Sequence, residues 1–346
     1  MRNKLTVGAA LLFCAGAYAQ TNSYTVTNIV TNTQDPNLVN PWGLSRASNK
    51  NVGENQWWAS DQVTGLSTLY TANGTIVGLT VTIPPGTATG TGSPTGTAAN
   101  TISTSHVVFA FATLDGTISA WDSNTGPNGG SGACAGCHTS TATIMVNHSG
   151  SGASYQGLTI AKNATSGAET FYAANVNGGV EAYDATSFSP VTLPPDAFTD
   201  TKIPSTYTPT GIQGIGTKIY VAYNKTSGGG TGYLDAFNTN GKLLLRFEHK
   251  GLNQPWGIAL APAKFGKYSK MLLVGNTGSG WIGAYDPSTG KFLDFLETGG
   301  QFITIDGLWG IEFGNGSGGT GPTDVLYFNG GGPNQTTGVF GKIAAN

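Results

Sequence analysis

Cys134, Cys137 and His138 stand in the stretch "SGACAGCHTS" at the C-x-x-C-H spacing that attaches a c-type haem. That chemistry takes both thiols for thioethers and the adjacent imidazole as one axial ligand, commonly with a His or Met as the second. His148 and Met145 are the nearest partners for such an iron. A strand separates His148 from the motif, and five or six extended residues span about 17 to 20 Å, so His148 is expected on the far face. Met145 is expected to be held by packing within that strand. The same two thiols also suit a disulfide that tightens a glycine-rich loop in an oxidising compartment. On the sequence the haem and thiol readings both stay open.

Other chemical signatures are incomplete. There is no G-x-S-x-G elbow and no H-E-x-x-H. "GNGSGG", Gly314 to Gly319, matches a dinucleotide fingerprint by letter, but no helix follows to cradle a phosphate. His106 and His249 have no Ser and Asp partners within the repeat and read as surface residues. "KFGKYSK", Lys264 to Lys270, reads as a basic, solvated turn.

A larger constellation recurs along the chain. Trp42, Trp256 and Trp309 each precede a glycine, and Thr95, Gln156 and Thr210 occupy the same place in three other repeats. The apolar strands that follow end at or near Asp61, Asp115, Asn175, Asn224, Asn276 and Asn329. Indoles beside convergent polar groups would make a small-ligand site. Oxygens from Asp61, Asn175, Asn224 and Asn276 would also suit a divalent cation such as Ca²⁺, although carboxylates are scarce. Asp306 and Glu312 flank the last repeat start, and alternation places Glu312 on the opposite side of its strand from Trp309 and Ile311.

These residues meet only if the repeats are arranged around one axis. The repeat starts fall at Gly43, Gly96, Gly157, Gly211, Gly257 and Gly310, at intervals of 53, 61, 54, 46 and 53 residues. That is the scale of a four-stranded propeller blade with its loops. Each start leads into a pair of strands such as "KIYVAYNKTSGGGTGYLDAFNTNG", and most pairs close on Asn or Thr before Gly, a hairpin signal. Fourth strands follow as "TIVGLTV", "TATIMV", "PVTL", "KLLLRFE" and "KFLDFLE". The last repeat has none, and "SYTVTNIV", Ser23 to Val30, is available to supply it. The expected fold is therefore all-β: one six-bladed β-propeller of four-stranded antiparallel blades, closed by an N-terminal strand so that no sheet edge stays bare.

Composition agrees with many short strands and tight turns. Charged residues make up 10% of the chain, against about 25% in an ordinary globular protein. Glycine fills 53 positions and the formal net charge is -2. That balance gives no electrostatic case for nucleic acid or an anionic membrane. "MRNKLTVGAALLFCAGAYAQ" has a basic start, an apolar stretch and an Ala17-Tyr18-Ala19 cleavage pattern, so residues 1–19 are expected to be a signal peptide. A lipoprotein through Cys14 is disfavoured because bulky Phe13 precedes it. No other apolar run reaches the ~20 residues of a membrane span. The expected product is secreted or periplasmic, with residues 20–346 forming the propeller and 123–141 an insertion between the third and fourth strands of its second blade.

The segments "DPNLVNPWGLS", "LNQPWGIALAPAKFGKYSKMLLVGN", "IGAYDPSTGKFLDFLE", "IDGLWGIEFGNG" and "GVFGKI" resemble a family of secreted, mostly bacterial proteins similar to NHL-type propellers. The resemblance covers nearly all of the mature chain. It implies the propeller fold and no activity, and the insertion carrying "CAGCH" departs from the family pattern.

The expected function is recognition of a small molecule, glycan or protein at the face carrying Trp42, Trp256, Trp309, Asp61, Gln156, Asn175, Asn224, Asn276 and Asn329. The alternatives are a lactonase-like hydrolase or lyase with a channel metal, and electron transfer through a haem on Cys134, Cys137 and His138.

Overall fold

The structure is a computed structural model that describes residues 21–47, 56–87, 89–102, 105, 107–122 and 140–346. The proposed signal peptide and the Cys134, Cys137 and His138 motif lie outside the described residues.

Six antiparallel sheets follow one another along the chain, each beginning at one of the repeated glycines. The first four-stranded blade runs through Pro41–Arg46, Trp57–Asp61, Leu66–Tyr70 and Val81–Thr82. We call such strands A to D from the axis outward. Their antiparallel order places the D–A and B–C connections on one face of the molecule and the A–B and C–D connections on the other. In the third blade the D position is reduced to a bridge between Tyr183 and Pro190, because the proline cannot donate to a ladder.

Closure occurs as the repeat pattern requires. Blade 6 takes A, B and C from Leu308–Phe313, Val325–Gly330 and Val339–Ala345, and its D strand is Tyr24–Thr31. The pairing runs from Tyr24 opposite Ala345 to Thr31 opposite Val339. Tyr24 is fully buried, donates its hydroxyl to Phe265 O at 3.1 Å and packs between Phe265 and Tyr268. "KFGKYSK" is thus not merely a solvated turn: Phe265 and Tyr268 are buried in it, and it latches the closing strand.

The core is divided among the seams. Six apolar clusters each join two consecutive blades, for example Trp58 and Leu69 of blade 1 with Phe109, Phe111 and Trp121 of blade 2. The last such cluster joins blade 6 to blade 1 through Tyr327 and Phe340 against Trp57 and Tyr70. Close approach at the axis explains the repeated glycines. A methyl on Gly211, Gly257 or Gly310 would come within 3.0 Å of the backbone carbonyl of Trp256, Trp309 or Trp42 in the next blade. The same relation holds from Gly43 to Thr95 and from Gly157 to Thr210, and Gly96 meets Leu158 N and Gly157. Only a residue without Cβ lets neighbouring A strands meet this closely.

Among the described residues no helix is long and apolar enough to cross a membrane.

Candidate functional site

The D–A connections deliver Trp42, Trp256 and Trp309 to the axis at one face, as the repeat predicts. Once there, they pack on one another. Trp42 and Trp309 stack with centroids 3.7 Å apart and planes 16° apart, and Trp256 stands edge-on to both at 6.3 and 5.8 Å. Each is 7–8% exposed. Trp256 Nε1 donates across the axis to Gln156 O at 3.2 Å, and Trp309 Nε1 donates to Asn40 Oδ1 at 3.0 Å. Trp42 Nε1 is buried without a partner. The three indoles therefore stopper the channel. Beneath them the axis holds a cavity of about 20 Å³ among Gly43, Gly96, Gly257, Gly310, Leu158 and Ile258, room for one water.

The polar residues at the ends of the B strands are braces. Asn329 Nδ2 crosses the closing seam to Gly43 O at 2.9 Å, and Asn224 Nδ2 crosses to Pro255 O at 3.0 Å. Asn276 donates to Gly251 O and Trp281 O and accepts from Asn253 N. Asn175 accepts from Ser154 N and Asn177 N and donates to Glu181. Thr95 Oγ1 donates to Tyr155 O of the next blade at 2.7 Å, and Thr210 accepts from Asn224. Most of these bonds complete a backbone group that the turn would otherwise leave unpaired, whereas Asn175 to Glu181 and Asn224 to Thr210 join side chains.

Blade 2 differs from the sequence reading. Its residue at this place is Thr113, opposite Pro94 and paired with Thr117 at 2.9 Å. Asp115 lies in the following turn and accepts Ser93 N at 2.6 Å.

Asp61 is fully buried, accepts Thr68 Oγ1 at 2.8 Å on one oxygen and has no partner on the other. Burial pushes its carboxyl well above the usual range, and the nearby Asp35 adds to the rise. Among the described residues no group of three or more His, Cys, Asp or Glu is placed to hold a metal. The amide nitrogens of Asn224 and Asn329 are committed to the seams, whereas Asn224 Oδ1 and Asn329 Oδ1, like Asp61 Oδ1, are buried without a partner.

Met145 also departs from expectation. It is 40% exposed on the outermost strand of blade 2, where one side of the strand faces solvent.

Open aromatic surface occurs on the same face as the tryptophan stopper but farther from the axis. In blade 4 Tyr207 meets Tyr233 at 4.7 Å and Tyr233 meets His249 at 4.2 Å, both edge to face. In blade 5 Trp281 meets Phe295 and Phe302, each at 5.1 Å, and its Nε1 donates to Thr304 Oγ1. Phe302 is 40% exposed on a small hairpin, Glu297–Thr298 with Gln301–Phe302. The connection that carries His249 runs on to Asn253 and Gln254, whose carbonyls accept Gly278 N and Thr277 N below Trp281. That connection links the loops of the two clusters through backbone hydrogen bonds. Gln254 sits within it at φ 54°, an unusual conformation before a proline. Trp281 and Phe302 were missed in sequence because they lie outside the repeated start motif. An indole directly after the turn "NTGSG" was the available signal.

No protein-family model matches the chain. Two Acanthamoeba polyphaga mimivirus proteins, "Uncharacterized protein R648" and "Uncharacterized protein L690", are each 28% identical to it, over 300 and 307 residues. Each match covers 80% of this chain, with 69% and 74% of the viral proteins. Among solved structures, Kuenenia stuttgartiensis hydrazine synthase matches with a TM-score of 0.51, and a glucose dehydrogenase with 0.55. Both are 13% identical, covering 94% and 93% of this chain and 98% and 100% of theirs. At that identity the likeness is one of fold. The chain is thus a six-bladed β-propeller with distant relatives among viral proteins of uncharacterised function.

Proposed function

We propose that this protein is an exported binding propeller that recognises a glycan at the face bearing the D–A and B–C connections. The observation that carries the reading is the pair of aromatic clusters on that face, Tyr207, Tyr233 and His249 in blade 4 and Trp281, Phe295 and Phe302 in blade 5. Sugar rings present C–H faces to aromatic rings and hydroxyls to neutral polar groups, and this surface offers both, with Asn253 and Gln254 on the connection bonded below the Trp281 turn and Thr304 bonded to Trp281 itself. The stoppered axis turns the expected site outward. Trp42, Trp256 and Trp309 then act as the rigid base of the face, and the B-strand asparagines hold its loops. The leader-like residues 1–19 and the likeness to secreted bacterial propellers support export.

The test is titration of the full mature chain with soluble cello- and chito-oligosaccharides, followed by tryptophan fluorescence. Binding is expected from one series, and Trp281→Ala should weaken it tenfold or more, a cost of at least about 1.4 kcal/mol. Absence of binding by both series, or an undiminished affinity in the variant, overturns the reading.

A second reading rests on "CAGCH" itself. Expression in a haem-maturing host tests it: a Soret band that survives denaturation supports covalent haem, and colourless protein rejects it.

A further inference from the structure

The closing seam, between blades 6 and 1, gathers buried oxygens that the binding reading does not use. Asp61 ends strand B of blade 1, Trp57–Asp61, and alternation puts it on the side of Trp57 and Ala59. Those two pack against Tyr327 of blade 6. Asn329 lies two residues beyond Tyr327 on strand B of blade 6, Val325–Gly330, and so faces the same seam from the other side. Its Nδ2 reaches Gly43 O at 2.9 Å, and Gly43 stands in strand A of blade 1 between Pro41, opposite Asp61, and Leu44, opposite Ala59. The two side chains therefore converge on one end of the seam. Asp35, on the connection after strand Tyr24–Thr31, enters there as well: its Oδ2 accepts the Tyr70 hydroxyl at 2.8 Å, and its charge acts on Asp61.

Donors and acceptors do not balance there. Asp61 and Asn329 are each 0% exposed, and Asp35 is buried beside them. Thr68 Oγ1 serves Asp61 Oδ2 at 2.8 Å, and Asn37 N serves Asp35 Oδ1 at 3.0 Å. Asp61 Oδ1 and Asn329 Oδ1 receive no hydrogen bond. Among the described residues no Lys, Arg or His forms an ion pair with either carboxyl. Buried carboxylates in native proteins are paired with a cationic side chain or coordinate a metal. Asp200 shows the first solution, taking Arg246 Nη2 on Oδ1 at 2.8 Å. The closing seam brings no such side chain to Asp61.

Both unpartnered groups are oxygens, a donor set that suits hard cations rather than soft metals, and two carboxyls match a double positive charge. Ca²⁺ accepts about six to eight oxygens in loose geometry, amide carbonyls among them, whereas Mg²⁺ demands a near-ideal octahedron. We propose that the closing seam binds one Ca²⁺ through Asp61 Oδ1 and Asn329 Oδ1, with Asp35 supplying the second negative charge. The ion ties strand B of blade 1 to strand B of blade 6 where the ring shuts. Of the oxygens that the sequence suggested for a cation, only Asp61 belongs to this site. Asn175 and Asn276 accept backbone N–H groups, and Asn224 bonds into the seam of blades 4 and 5.

The test uses the full mature chain, stripped with EDTA and titrated with CaCl₂ while its melting temperature is followed. Ca²⁺ at about 10 mM, above the range of weak extracellular sites, should raise that temperature by about 3 °C or more, as a ligand of the native state alone does. Mg²⁺ at the same concentration should give less than half the rise. Asp61→Asn keeps the side-chain shape without the charge and should lose the Ca²⁺ response. Asp235→Asn, a buried carboxyl of blade 4, should keep it. No response to Ca²⁺, an equal response to Mg²⁺, or a full response in a folded Asp61→Asn protein overturns the proposal. Should Asp61→Asn fail to fold, Tb³⁺ emission excited through the aromatic rings of this seam decides it: emission displaced by Ca²⁺ supports the site, and its absence overturns it.

Discussion

Trp42 of the first blade and Trp309 of the last stack at 3.7 Å across the seam where the ring closes. Their contact joins residues far apart in the chain, and Gly310 beside it lets the two A strands come close enough. The pair is therefore a direct report on closure. Trp309→Ala removes a buried indole and leaves Asn40 Oδ1 without its donor, so it should cost about 3–5 kcal/mol in urea unfolding. Trp309→Phe keeps much of the stacking surface and should cost less. A near-ultraviolet circular dichroism band from the coupled indoles should vanish in either variant. Its persistence would mean that the two rings do not stack.

Tyr24 tests the closure from the other side. Its hydroxyl bonds Phe265 O and accepts Tyr268 N, and its ring lies at 7° to that of Tyr268. Tyr24→Phe loses the hydrogen bonds alone and should cost about 1 kcal/mol. Tyr24→Ala also opens a cavity beside the latch, at about 3–5 kcal/mol. Melting temperatures of the two variants separate the contributions. Equal temperatures for Tyr24→Ala and the unaltered chain would show that the strand does not dock.

The fold was legible because the same glycine problem recurs in every blade. Close packing around an axis forces glycine at Gly43, Gly96, Gly157, Gly211, Gly257 and Gly310, and that spacing is visible without any alignment. The missing strand in the last repeat was equally plain. Which residues face solvent was less so. A Trp before glycine reads the same whether it rims an open pocket or fills one, and only the mutual distances of Trp42, Trp256 and Trp309 decide. Trp281 and Phe302 belong to irregular turns, where no periodicity marks them. Asp61 and Asn329 come from the first and last blades, and their meeting in one seam depends on a register that spacing does not reveal.

Gly257→Ala tests the axial packing itself. Its methyl would meet Trp309 O, a backbone atom that cannot turn aside. Overpacking against backbone costs typically about 1–3 kcal/mol. Gly150→Ala is the comparison, since a methyl there meets nothing within 4 Å. Urea midpoints should fall for the first variant and hold for the second. Equal midpoints would mean that the A strands are farther apart than the glycine repeat implies.

The closing seam should also be sensitive to pH. Glu312 faces Arg46 at 3.5 Å across it, and Arg46 Nε donates to Phe313 O. Burial pushes the Glu312 carboxyl up from 4.5 to about 7, with Arg46 pulling the other way. Asp235 behaves alike: burial, and then the adjacent Asp200 charge, raises it to about 7, while one of its oxygens has no partner. In each case the folded pKa exceeds the unfolded one, so the native state binds more protons between them. The stability that these two groups contribute is then fully present below about pH 4 and declines as pH rises through 7. For Glu312 the decline is on the order of 2–3 kcal/mol, the energy of a shift of that size reduced for partial exposure. Glu312→Gln keeps an acceptor for Arg46 and cannot ionise, so it should flatten the decline and gain stability at pH 8. Urea unfolding of both proteins at pH 5 and pH 8 measures this, and an unchanged slope in Glu312→Gln would place the pH dependence elsewhere.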